Sequence, residues 1–165
     1  MLNEPSYEAT QLGAAKFVGL VCFREGVDES CPKPCRCSFE RSETSLTVNC
    51  SWQKLTSIPG PLPVNTDHLD LWKNQLNKLP GGVFNHNTKL ETLDLSENQL
   101  TDLPDGIFDK NVQLSDLDLW KNQLNKLPGG VFNHNTKLET LDLSENQLTD
   151  LPDGIFDKNV QLSDL

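Results

Sequence analysis

The sequence predicts a repeat solenoid with short parallel strands along a concave face and loops with short 3-10 turns on the convex side. Three observations predict it. A 24-residue unit recurs four times, starting at Leu69, Leu93, Leu117 and Leu141. Each unit opens on a two-residue alternation, and Pro and Gly interrupt each unit before a long helix could form. Self-similarity at a fixed period marks a supersecondary unit that buries its apolar face only against its neighbours, and four units exceed the roughly three needed for stability.

Each unit reads L-D-L-x-x-N-Q-L-x-x-L-P-x-G-[VI]-F-x-x-N-x-x-L. The opening L-x-L is a short strand with one face inward. "LPGGVF" and "LPDGIF" then turn the chain back. Leu69, Leu71, Leu76, Leu79 and Leu90, with their equivalents, are the expected core. Phe84, Phe108, Phe132 and Phe156 are expected to stack as an aromatic spine on the convex side. Asn74, Asn98, Asn122 and Asn146 follow each strand, where a buried amide bonds the backbone of its own turn and of its neighbour.

Residues 69–116 equal residues 117–164 without a mismatch. Drift erases such identity, so the array is a very recent duplication, an assembly error or an engineered sequence. Within it, "LDLWKNQL" alternates with "LDLSENQL": Trp-Lys gives way to Ser-Glu and returns.

The 165 residues carry a net charge of −10, with 36% hydrophobic residues. From Leu69 to Asp164 there are sixteen acids, eight Lys and no Arg. Such a surface argues against nucleic acid, whose phosphates require Lys and Arg, and against an anionic membrane surface. All five Cys lie in the first 50 residues. Cys31, Cys35, Cys37 and Cys50 read as a disulfide framework and an oxidising compartment; their spacing lacks the paired Cys-x-x-Cys of a zinc site. "LGAAKFVGLVCF", Leu12 to Phe23, has the length of a signal peptide and is too short to span a bilayer. Lys16 interrupts it and no basic residue opens it, so residues 1–30 read as an imperfect leader or an unrelated N-terminal extension outside the fold, with Cys22 the odd thiol.

The pattern resembles the extracellular leucine-rich repeat family from Cys31 to Leu165. "CPKPCRC…NC" followed by "LTSIPGPLPVNTDHLDL" looks like the family's cysteine-rich N-terminal cap, and the "NQL…LP.G.F" unit is most similar to variable lymphocyte receptors of jawless vertebrates and related chordate receptors. The resemblance implies a right-handed, curved leucine-rich repeat solenoid of the α/β class, with a cap at 31–68 and repeats at 69–92, 93–116, 117–140 and 141–164. It implies Cys31–Cys37 and Cys35–Cys50 disulfides, where the residues alone leave three connectivities open. It also implies an extracellular, secreted or cell-surface location. Three departures stand out. The Cys37 to Cys50 spacing is long. Asn87, Asn111, Asn135 and Asn159 replace a usual buried Leu, which makes that turn wetter or sets these amides on the backbone. The family's C-terminal cap is missing, so the chain reads as a fragment whose Leu141, Leu143 and Leu148 lack a cover and whose last strand offers unpaired amides for end-to-end self-association.

No catalytic constellation is present, and neither a cofactor nor a metal is expected. His86 and His134 occupy copied convex loops without a second ligand at coordinating spacing, and Ser96 and Ser144 have no His on their strand face to activate them. Asn49-Cys50-Ser51 is the one formal glycosylation sequon. Trp52 is expected to pack over the disulfides.

Residues flanking the strand leucines face the concave side. They are His68, Asp70, Trp72 and Lys73; Thr92, Asp94, Ser96 and Glu97; Asp116, Asp118, Trp120 and Lys121; and Thr140, Asp142, Ser144 and Glu145. With strands roughly 4.8 Å apart, Lys73, Glu97, Lys121 and Glu145 form a ladder of alternating sign. Asp70, Asp94, Asp118 and Asp142 form a like-charge column, each neighbouring pair costing on the order of 0.8 kcal/mol in water-like dielectric. Trp72 and Trp120 stand about 10 Å apart across Ser96, at twice the strand spacing, flanking a slot. Exposed indoles beside aligned acids are typical of binding hot spots, so the expected function is recognition of a protein or glycan, as in antigen binding, by an extracellular receptor fragment. The rival is an adhesion or structural module, or a consensus scaffold without a natural ligand.

Overall fold

The structure is a computed structural model that describes residues 31–39 and 44–165. Residues 1–30 with Cys22, expected above to be a leader or an extension, and residues 40–43 of the long Cys37–Cys50 segment lie outside the described residues. Six strands form one sheet in chain order: β1 (Arg36–Phe39), β2 (Leu46–Asn49), β3 (Thr66–Asp70), β4 (Thr92–Asp94), β5 (Asp116–Asp118) and β6 (Thr140–Asp142). β1 pairs antiparallel with β2, and every later pair is parallel. Leu69, Leu93, Leu117 and Leu141 stand in register, as the period requires. The molecule is a β-solenoid of about four turns.

The strands are short because the chain leaves the extended region soon after each L-x-L. Lys73, Glu97, Lys121 and Glu145 all have φ near +50°, a left-handed conformation unfavourable for side chains other than Gly, Asn and Asp. The bend is held from inside. Asn98 Nδ2 donates to the carbonyls of Leu71, Leu95 and Ser96, and its Oδ1 accepts from Leu76 N at 3.0 Å. Asn122 and Asn146 repeat the pattern, and Asn74 extends it to the backbone of Gln53, Leu55 and Cys50.

On the convex side each turn closes by bonds between residues three apart, such as Val83 N to Pro80 O, Asn85 N to Gly82 O and Asn87 N to Phe84 O. This is the 3-10 pattern expected there. Gly130 serves this turn at φ +73°, and a Cβ there would stand 2.5 Å from Asn133 Nδ2. The phenylalanines stack as a spine, with centroids 6.3, 6.3 and 6.0 Å apart and planes within 13° of parallel. Of the two alternatives at the Asn87 position, the amides bond the backbone. Asn135 Nδ2 donates to Phe108 O and Asn111 O, and Asn111 and Asn159 do likewise one turn away. All are at most 4% exposed, so the turn is dry.

The core runs unbroken from Leu46 to Ile155. Each fully buried Leu contributes about 1.5–3 kcal/mol relative to exposure, and none of the units could bury its own leucines alone. Cys31–Cys37 and Cys35–Cys50 disulfides close the N-terminal end, with Cys50 fully buried. There Asp67 accepts from Leu46 N at 2.7 Å, so this nearly buried carboxylate is satisfied. At the other end Leu143 and Leu148 are only half-buried and Leu151 is 46% exposed, whereas its equivalents Leu79, Leu103 and Leu127 are at most 5% exposed. The expectation of free amides on the last strand fails for Leu141, whose N–H donates to Asp164 O at 3.0 Å.

Candidate binding face

The parallel register turns the repeat into columns. Thr47, His68, Thr92, Asp116 and Thr140 form one; Asn49, Asp70, Asp94, Asp118 and Asp142 form the next. Each Asp of the second column also braces its own turn. Oδ1 of Asp70, Asp94, Asp118 and Asp142 accepts from the backbone N–H two residues on, at 2.8–2.9 Å. Asp116 instead accepts from the Ser115 hydroxyl at 2.6 Å. Burial, above all, raises the pKa of Asp70 and Asp118; the neighbouring column carboxylates raise it further, against the lowering effect of those N–H bonds.

Trp72, Ser96, Trp120 and Ser144 come next along their strands, and here the structure departs from the expected open slot. Ser96 is 2% exposed, with its hydroxyl donating to Asp94 Oδ1 at 2.6 Å, and both indoles are half-buried. Ser96 is therefore floor rather than a contact residue. Ser144 makes the same bond to Asp142 but stays exposed.

The charged ladder is realised in part. Glu97 sits between Lys73 at 3.7 Å and Lys121 at 3.2 Å, and its pKa is lowered, chiefly by the Lys121 hydrogen bond. Among the described residues Glu145 makes no ion pair, so the sign alternation is used at one acid. Exposed pairs of this kind add little to stability, because water screens them and two long side chains must be held still. The column also continues where no place was foreseen for it. Trp52 N donates to Trp72 O as Lys73 N donates to Ser96 O, and Trp52 shares the left-handed bend at φ 58°.

Trp52 thus stands in the Lys/Glu column. It is 58% exposed, packs edge-on against Trp72 at 5.5 Å, and lies 4.1 Å from Lys73 Nζ. This corrects the expectation that Trp52 covers the disulfides. The signal was present: "VNCSWQKLTSIP" lies on "LDLWKNQLNKLP" at an offset of 21 residues, the separation of the bonded pair Asn49 and Asp70. The shorter period and the Cys at a Leu position concealed a turn of the same solenoid.

Among the described residues, no group of three His, Cys, Asp or Glu could hold a metal, and no helix is long and apolar enough to cross a membrane. The carboxylate columns are spread along the sheet and already cap backbone amides.

The leucine rich repeat family profile matches residues 65–124 and 112–165, most of the chain and all of the array. The chain belongs to the leucine-rich repeat family. It is 35% identical over 82 residues to leucine-rich repeat-containing protein 3 of Rattus norvegicus, covering 50% of this chain and 30% of that protein. It is 42% identical over 64 residues to platelet glycoprotein IX of Homo sapiens, covering 39% and 35%. Identity to leucine-rich repeat-containing G-protein coupled receptor 5 of Xenopus tropicalis is 43% over 58 residues, covering 35% and 6%. The chain therefore spans about a third or less of the length of these relatives. As a leucine-rich repeat protein it carries a disulfide-bonded N-terminal cap on a protein-binding type of module.

Proposed function

We propose that this leucine-rich repeat chain is an extracellular recognition module that binds a protein ligand on its concave face, in the manner of the antigen receptors its repeats resemble. Its parts are the cap at 31–68 and the repeats at 69–92, 93–116, 117–140 and 141–164. The observation that carries the reading is the cluster of Trp52, Trp72 and Lys73 beside the Asp70–Asp94–Asp118–Asp142 column. An indole 58% exposed on a soluble repeat face is costly as mere surface, and Trp is the residue most enriched at binding hot spots. The aromatic end supplies apolar contact area, and the carboxylate column selects for a basic segment of the partner. Two disulfides suit an oxidising extracellular setting.

The test is a panel of secreted proteins screened for binding, followed by Trp52→Ala, Trp72→Ala and Asp118→Asn. Each change should weaken a genuine ligand at least tenfold. Indifference to all three, with loss on changing convex His86 or His134, would transfer the site to the other side of the solenoid. A purified glycan that competes for the face would replace the protein ligand with a carbohydrate.

A further inference from the structure

We propose that Asn49 is an N-glycosylation site whose modification competes with closure of the Cys35–Cys50 disulfide and places a glycan on the N-terminal end of the concave face. Asn49 is exposed on β2 and heads the carboxylate column, with Nδ2 donating to Asp70 Oδ2 at 2.9 Å. That is the one acceptor Nδ2 has among the described residues, so its second hydrogen is free for substitution while the Asp70 bond remains. Asn49 Oδ1 accepts from the Ser51 hydroxyl at 2.8 Å and from Ser51 N at 3.1 Å, so the sequon's own side chains fold onto each other. A sugar rooted at Nδ2 therefore rises from the same row as Asp70, beside the Trp52–Trp72 pair.

The step joins Nδ2 to C1 of the first sugar of a polyprenyl diphosphate-linked oligosaccharide. The N–C bond forms as the C1–O bond breaks, the lipid diphosphate leaves with that electron pair, and one Nδ2 proton passes to a base. The folded chain is a poor substrate for it. Cys50, the middle residue of the sequon, is fully buried and bonded to Cys35, and its N–H is held by Asp70 O at 2.7 Å. A transferase needs those residues extended and free, so transfer must precede both disulfide and sheet. Occupancy is consequently set by a race, and two forms of the protein result, one with the aromatic end of the face open and one with it covered.

Modification of Asn49 is independent of which ligand the face binds. The experiment expresses the full chain through a eukaryotic secretory pathway behind a signal sequence and measures Asn49 occupancy by peptide mass before and after glycosidase. Partial occupancy is expected. It should rise severalfold when a mild reductant is present during synthesis, rise with Ser51→Thr, and vanish with Asn49→Gln. Unmodified Asn49 in both the wild type and Ser51→Thr overturns the site, and occupancy indifferent to reductant overturns the competition. Placement is read without a ligand, by acrylamide quenching in a Trp120→Phe background that keeps Trp52 and Trp72. The glycosylated form should quench less than Asn49→Gln, and equal quenching overturns the placement.

Discussion

Asp118 is held in place by Trp120 N and stands between two carboxylates, Asp94 and Asp142. Burial first, then those neighbours, raise its pKa, and Asp70 behaves alike. A folded-state pKa above the unfolded value means that protonation favours the fold. Stability from these two groups therefore rises as pH falls through their raised values, and the gain is complete below the unfolded value of about 3.9. Glu97 runs the other way: its lowered pKa gives stability above the ordinary glutamate range that is lost as pH falls through its folded value. Asp118→Asn keeps the backbone acceptor and removes two repulsions. It should stabilise the protein by on the order of 1 kcal/mol at pH 7, with the gain shrinking as pH falls through Asp118's raised folded value, as measured by urea denaturation. The same change should weaken ligand binding; a gain in stability without that loss would mark the column as ordinary surface. The two Asn ladders differ in a second testable way. In Asn122→Leu the buried Leu100 N–H loses its acceptor, at a cost of about 1–3 kcal/mol. In Asn135→Leu, Phe108 O keeps Asn111 N and Asn111 O keeps Leu114 N, while the removed Oδ1 had no partner. That variant should unfold within about 1 kcal/mol of the wild type.

Between single residues and the whole lies the spine. Phe132 is fully buried with a ring stacked on each side, at 6.3 and 6.0 Å, whereas Phe156 is half-buried with one neighbour. Phe132→Ala should cost about 3–5 kcal/mol, and Phe156→Ala clearly less, in chemical denaturation. The ordering follows from nearest-neighbour coupling, in which an inner turn loses contacts on both sides and the last turn on one. Equal costs would mean that the stack contributes through each ring's own turn and not between turns.

For the whole molecule, the two ends differ in how they are closed. The N-terminal end has a hairpin and two disulfides. Reducing them should cost about 2–5 kcal/mol, read as a lower denaturation midpoint in thiol reductant. At the other end Leu151, Val160 and Leu165 are 46%, 85% and 69% exposed. A protein of these 165 residues should self-associate through that surface, with a sedimentation coefficient that rises with concentration, and Leu151→Lys with Val160→Lys should return it to a monomer. A dilute and concentrated monomer alike would show that the Leu141–Asp164 pairing shields the edge.

A strict period of 24 with L-x-L, Asn, Pro-x-Gly and Phe at set places leaves few arrangements that bury the inner leucines and set the Asn amides on neighbouring backbone, so the sheet register, core and spine were legible in the letters. The resemblance to capped repeat proteins supplied the cysteine pairing. The face was legible only as a list of outward residues. Its depth came from packing: Ser96 sinks because its short side chain folds onto Asp94 between two larger indoles. Trp52 joins the face because residues 46–59 form one more turn of the solenoid, hidden by a 21-residue offset and a disulfide. Among the described residues Glu97 takes two lysines and Glu145 none, although their sequence surroundings are identical. Repetition determines what each turn is made of, while neighbours on either side, which only the tertiary structure supplies, decide how far each side chain reaches solvent and which charges meet.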